Sequence, residues 1–210
     1  MSNKEPDIYV YKMVTDNGGA PCVAGNLLSL AICKPKIRKT AAKDSLVFGF
    51  GGKKYKERLI YIARVTGKLE KDAYYRQREY ARRPDCIYQV ENDRPVRKVS
   101  AKYHFDSDQK RKDVGFHFEN AFVLLSEDFR YLGRKGRDDF KKRYPKLQRL
   151  IEGLKQGHRR YRSAELREER AELLALKLEI WSKYRRMKVG SPTDKDRSRP
   201  CNTESKSARC

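Results

Sequence analysis

Two apolar segments joined by a lysine- and glycine-rich link constrain the fold most: "SLVFGFGG" at 45–52 and "RLIYIARVTGKL" at 58–69. In the second, Leu59, Tyr61, Ala63 and Val65 alternate with Ile60, Ile62 and Arg64. A strand of that pattern buries one face wholly and the other in part. The linking residues 51–57 suit a hairpin connection.

More short strands surround this pair. Residues 8–14, "IYVYKMV", are aromatic and β-branched, and "TDNGGAP" at 15–21 is a turn-rich loop. Residues 26–33, "NLLSLAIC", fit either a short helix or a buried strand, and Pro35 ends the segment. A basic helix is expected at 71–83, closed by Pro84, then strands at 87–90 and 96–105, and a strand pair or bent strand at 114–126. His117, between Phe116 and Phe118, reads as a half-buried strand histidine, and "EDFRYLGRKG" leads out of the region. Five to seven short strands with few helices predict an α+β fold: after a tail at 1–7, a small, mixed, partly closed β-barrel over 8–136 with short helices.

After Gly136 the pattern turns helical. Leu147, Leu150, Ile151 and Leu154 share one helical face behind Pro145. A longer helix is expected from 163 to 188 with Ser163 as its N-cap. On it Leu166, Leu173, Leu174, Leu176, Ile180, Trp181, Tyr184 and Met187 share a broad face, and Leu178 falls outside. Residues 137–188 thus read as a basic helical appendage, used for docking on a protein partner or for self-association, and 189–210 as a disordered polar tail.

Charge limits the partners. The chain has 50 Lys and Arg against 28 Asp and Glu, a formal net charge of +22. Residues 134–188 carry half of that surplus. Such a tilt favours a polyanion, with nucleic acid or a nucleotide foremost. No apolar run approaches the roughly 18–20 residues that span a bilayer, and the polar start lacks the apolar run of a secretory signal. The cytoplasm is the expected compartment. The five cysteines, at 22, 33, 86, 201 and 210, include no Cys-x-x-Cys pair, so neither a disulfide framework nor a structural zinc site is expected. Cys22 and Cys33 with His104 or His117 could in principle bind a metal, but small buried thiols fit the pattern better, and neither metal nor cofactor is expected.

The candidate site centres on the stretch after the third apolar run. Lys34, Lys36, Arg38 and Lys39 would hold phosphate groups, with Ile37 anchoring the loop beneath. Tyr11, Tyr61 or Tyr131 would give a stacking wall for a base. Asp16 and Asp44 lie at strand edges where a carboxylate could read a base amino group, although Asp44 also suits a turn. No Walker loop, nucleophile elbow or deaminase signature is present. Cys33 beside Lys34 is the candidate nucleophile, since a neighbouring cation favours thiolate, and a buried, inert thiol is the competing reading.

The order of "YVYKMVTDNGGAP", "LAICKPKIRKTAAKDSLVFGFGGK", "RLIYIARVTGKL", "RPDCIYQ" and "FVLLSEDFRYLG" resembles the nucleotide-modification-associated domain family, second type, of bacteria and phages, over about residues 8–150. Its most specific portion is "CKPKIR…A…D". The motif residues are Tyr11, Asp16, Cys33, Lys34, Pro35, Lys36, Arg38, Asp44, Tyr61, Asp85, Ser126, Phe129 and Tyr131. The likeness implies a place in systems that make, read or process modified bases in DNA, and no fixed catalytic mechanism. The centre also resembles PUA-like and EVE-like barrels, which bind modified bases in an aromatic pocket, but carries Lys43-Asp44 where they carry Gly-Asp. The leading expectation is therefore a domain that binds nucleic acid or nucleotides and recognises or processes modified bases. An enzyme acting on a nucleotide or base through Cys33, Asp16 or Asp44, or an interaction protein using 163–188, are the alternatives.

Overall fold

The computed structural model describes residues 5–104, 107–155, 157–164 and 167–194. In chain order the strands and helices are β1 (Ile8–Met13), β2 (Cys22–Ala24), β3 (Leu27–Leu30), α1 (Pro35–Thr40), β4 (Leu46–Gly51), β5 (Leu59–Arg64), β6 (Gly67–Glu70), α2 (Ala73–Arg76), β7 (Tyr88–Glu91) and β8 (Arg94–Arg97). There follow α3 (Ser107–Asp113), β9 (Phe122–Ser126), β10 (Asp128–Tyr131), α4 (Phe140–Arg143), α5 (Pro145–Gly153), β11 (His158–Tyr161) and α6 (Glu168–Lys183).

The first sheet has the order β10-β5-β4-β1-β11, with β1 parallel to β4 and its other pairs antiparallel. The second, β2-β3-β9-β6, is antiparallel throughout, and β7 and β8 form a separate hairpin. The sheets exchange chain at two corners. Val65 donates to Ser45 O at the end of the first sheet, and the next residue, Thr66, donates to Leu125 O of the second. Likewise β9 and β10 lie in different sheets, separated by Glu127. The segment 58–69, expected as one strand, is therefore two strands bent at Val65 and Thr66. The α+β class holds, but the described strands form facing sheets, and no closed barrel is found among them.

Alternation of side chains places a different core on each face. Tyr9, Tyr11, Val47, Tyr61, Phe129 and Tyr131 point between the sheets, against Leu28, Leu30 and Leu124 and against Ile37 and Ala41 of α1. Gly49 pairs with Tyr61, and a Cβ there would collide with the Tyr61 ring, so glycine makes room for the aromatic. The outer face of the first sheet, including Ile8, Val10, Leu46 and Phe48, packs on Phe140, Leu147, Ile151, Leu173, Leu176 and Ile180 of α4, α5 and α6. These helices share the main core with the sheet rather than standing apart as an appendage. Beyond the second sheet, Tyr74, Tyr75, Tyr88 and Tyr103 cover Val123 and Leu125.

Several elements differ from expectation. The helix at 71–83 shrinks to one turn, 96–105 is extended only to Arg97, and 107–113 is helical. His117 stands exposed in a loop. The segment 26–33 resolves into β3, and Pro35 opens α1 instead of ending an element. The long helix starts at Glu168 behind Arg167, not at Ser163, and stops at Lys183; Leu166 lies outside the described residues. Leu178 is 65% exposed on it, as its position off the apolar face requires. The start of the expected disordered tail is ordered: Val189 and Gly190 donate to Tyr131 O, and Arg134 donates to Ser191 O. Residues 195–210 lie outside the described residues.

Candidate active site

Three residues from separate segments meet where β3 gives way to α1. After Leu30, Ala31 and Ile32 are buried in the core, and the chain turns sharply through Cys33 and Lys34, with φ of 58° and 47°. Pro35 then sets the helical φ of α1. The turn leaves Cys33 partly exposed. Its Sγ lies 3.1 Å from His104 Nε2, and His104 Nδ1 is hydrogen-bonded to Asp113 Oδ2 at the end of α3. The backbone N–H of Cys33 donates to Asp113 Oδ1 at 2.8 Å. A nucleophile, an imidazole touching it and a carboxylate orienting the imidazole are the parts of covalent catalysis by a triad. The local shape also fits: strand, sharp turn with the nucleophile at positive φ, then helix. His104 itself has φ 51°.

Arg38 holds this arrangement from below. Its Nε donates to Cys33 O at 2.6 Å, Nη1 to Phe122 O at 2.7 Å, and Nη2 to Asp113 Oδ1 at 3.2 Å. The side chain is wholly buried. Cys33 is partly exposed, whereas the other two described thiols are buried. Burial pushes Cys22 up to about 12 and raises Cys86 as well, which keeps both as inert thiols. For His104, burial acts downward, but its hydrogen bonds to Asp113 and Cys33 outweigh it and raise the imidazole to about 10. It is an imidazolium at neutral pH, in contact with sulfur.

Cations gather on one side. Lys34 Nζ lies 4.8 Å from the centre of the Tyr11 ring. Burial and the charges of Lys36, Lys34 and Arg160 hold His158 of β11 below its ordinary pKa, so these groups share one neighbourhood beside the Cys33 turn. Among the described residues, no group of three His, Cys, Asp or Glu could hold a metal ion. No helix among them is long and apolar enough to cross a membrane.

The model of the nucleotide modification associated domain 2 family matches residues 5–198. The chain belongs to that family. No curated protein and no solved structure matches the chain. The matched range extends past residue 150 to take in β11 and α6, so the helical region is part of the family domain rather than an addition to it.

The motif and candidate site residues of this nucleotide modification associated domain fall in different settings. Cys33 lies against His104, and Arg38 is a buried strut beneath it, where a phosphate-binding cation was expected. Lys36 and Lys39 are exposed on α1, and Lys34 is half-buried. The tyrosines do not line an open hollow. Tyr11 and Tyr61 bond hydroxyl to hydroxyl at 3.0 Å, Tyr131 donates to Asp16 Oδ1 at 2.6 Å, and all three rings are buried. Asp16 is occupied too, accepting from the backbone N–H and hydroxyl of Thr193 at 2.9 and 2.8 Å. Asp44 has φ 69° and an exposed ion pair with Arg64, which makes it a turn residue. Asp85 is buried, accepting from Ser29 and Tyr74. Of the triad, sequence reasoning considered His104 only as a metal ligand and Asp113 not at all. Separations of 71 and 9 residues carry no spacing signature, and only the fold joins them.

Proposed function

We propose that this nucleotide modification associated domain 2 protein is an enzyme that acts on a nucleotide or base within a DNA-modification system, through a covalent intermediate on Cys33. The observation that carries this reading is the contact of Cys33 Sγ with His104 Nε2 at 3.1 Å, with His104 oriented by the buried Asp113. In this scheme the thiolate attacks an electrophilic carbon borne by the nucleotide or base, forming a C–S bond. The bond to the departing group breaks as His104 gives that group its proton. Water then attacks the same carbon, losing a proton to the now neutral His104, and the sulfur leaves as thiolate. Asp113 keeps the imidazole aligned throughout, and the charge surplus of +22 suits a phosphate-bearing substrate.

The burial of Tyr11, Tyr61 and Tyr131 supports this reading over a base-reading pocket walled by those rings. Thiol reactivity tests the enzymatic reading directly. The protein is treated with iodoacetamide at pH 6–7 and the labelled peptides are identified by mass spectrometry. Cys33 should react at least tenfold faster than free cysteine, Cys22 and Cys86 should remain unlabelled, and His104→Gln should remove the advantage. Labelling of Cys33 at the rate of a free thiol, unchanged by His104→Gln, would sink the proposal.

A further inference from the structure

Phe116 is 65% exposed, although Val114 and Phe118 on either side of it are buried. Among the exposed large apolar residues of the described chain, it is the one aromatic. The loop is built to hold it outside. Glu119 accepts from the backbone N–H of Phe116 at 3.0 Å and of His117 at 2.7 Å, and these bonds hold its carboxyl below the usual range. Gly115 turns the chain at φ 79°, where a Cβ would run into the Glu119 carboxylate. Asn120 Nδ2 ties the far end of the loop to Arg111 O at 3.0 Å.

These bonds fix the loop backbone with the ring outside. The Arg111 guanidinium lies 5.9 Å from its centre, and Lys110 and Lys112 flank Arg111 on α3. An aromatic face bordered by cations is the element that binds unpaired bases, the ring stacking while the charges meet phosphate. Phe116 follows Asp113 by three residues, so their Cα atoms are at most about 11 Å apart by chain length. The platform therefore follows the triad's carboxylate closely along the chain.

We propose that Phe116, with Arg111 beside it, is the platform on which an unpaired base of a single-stranded or extruded nucleic-acid substrate stacks. This deepens the enzymatic reading by naming its substrate class, and it rests on that reading only for the chemistry that follows binding. Intact duplex offers no free base face and would bind by charge alone.

The test uses the full chain and the oligonucleotide (dT)10. In Phe116→Trp, emission from the new indole should fall saturably as (dT)10 is added. The wild type, whose single tryptophan is Trp181 of α6, should show no such change. Phe116→Ala should weaken (dT)10 binding by about 5- to 140-fold. Its binding of a ten-base-pair duplex and of inorganic polyphosphate should stay as in the wild type. Binding of (dT)10 without quenching at position 116, equal losses for duplex and single strand, or no binding of (dT)10 at all would each overturn the proposal. So would quenching that follows protein concentration without DNA, which would mark contact with a second copy. The iodoacetamide result does not depend on these readings, so the two proposals fail separately.

Discussion

The Arg38 guanidinium lies 3.2 Å from the Asp113 carboxylate, and both side chains are closed off from water. Removing one member of such a pair strands the other charge in the interior, which costs about 3–5 kcal/mol. Arg38→Ala should therefore destabilise the protein by that amount in urea unfolding, and should slow Cys33 alkylation because the Cys33 carbonyl loses its donor. A loss below about 1 kcal/mol would show that the pair is not sealed as described.

His104 makes stability depend on pH in a definite direction. Its folded pKa, about 10, lies above the ordinary value of 6.5. The stabilising contribution is therefore complete below about pH 6.5 and is lost as pH rises toward 10. Cys33 and Asp113 contact the ring directly, with Arg38 behind Asp113. Urea midpoints measured from pH 6 to 10 should fall more steeply in the wild type than in His104→Gln. Parallel slopes would contradict the charged imidazole.

Gly49 tests the packing between the sheets. A methyl group there meets the Tyr61 ring and Met13 Sδ, both in the buried core. Gly49→Ala should cost about 1–3 kcal/mol, the range for overpacked cores. Substitution at Gly153, where a Cβ meets nothing within 4 Å, should be near neutral in the same unfolding assay.

On α6 the buried and exposed faces should separate cleanly. Ile180 is buried against the first sheet, so Ile180→Ala should cost about 2–5 kcal/mol. Leu178→Ser, on the exposed face, should stay within about 0.5 kcal/mol. Equal losses at both positions would mean that the helix lies differently on the sheet.

Asp16 holds the segment after α6. Asp16→Ala leaves Thr193 and the Tyr131 hydroxyl without their acceptor. Trypsin should then cut faster after Lys188, read by intact mass over time. Cleavage no faster than in the wild type would show that the backbone pairing of Tyr131 with Val189 is sufficient alone.

Local periodicity was legible where one face of an element meets one environment. The strands around Phe48 and Tyr61, the apolar face of α5 and the outward position of Leu178 follow from spacing alone. What spacing could not show was which elements share a core. A run such as 58–69 is equally apolar whether straight or bent between sheets, and four hydrogen-bonded residues at 158–161 leave little pattern in "HRRY". Of the triad only Cys33 was legible, since it stood out by its neighbour Lys34. Arg38 misled because its charge suggests solvent, and its burial depends on Asp113, 75 positions away. Tyr11, Tyr61 and Tyr131 misled for a related reason: an aromatic that can stack on a base can equally fill a core.

The placement of β11 beside β1 sets an order of events during synthesis. Once synthesised, β1 waits for residues 158–161 before its outer edge is paired, and Asp16 waits longer still for Thr193. Such late closure makes folding slow and exposes an unpaired edge meanwhile. A messenger cut short before β11 would yield an open-edged, aggregation-prone chain instead of a smaller working protein.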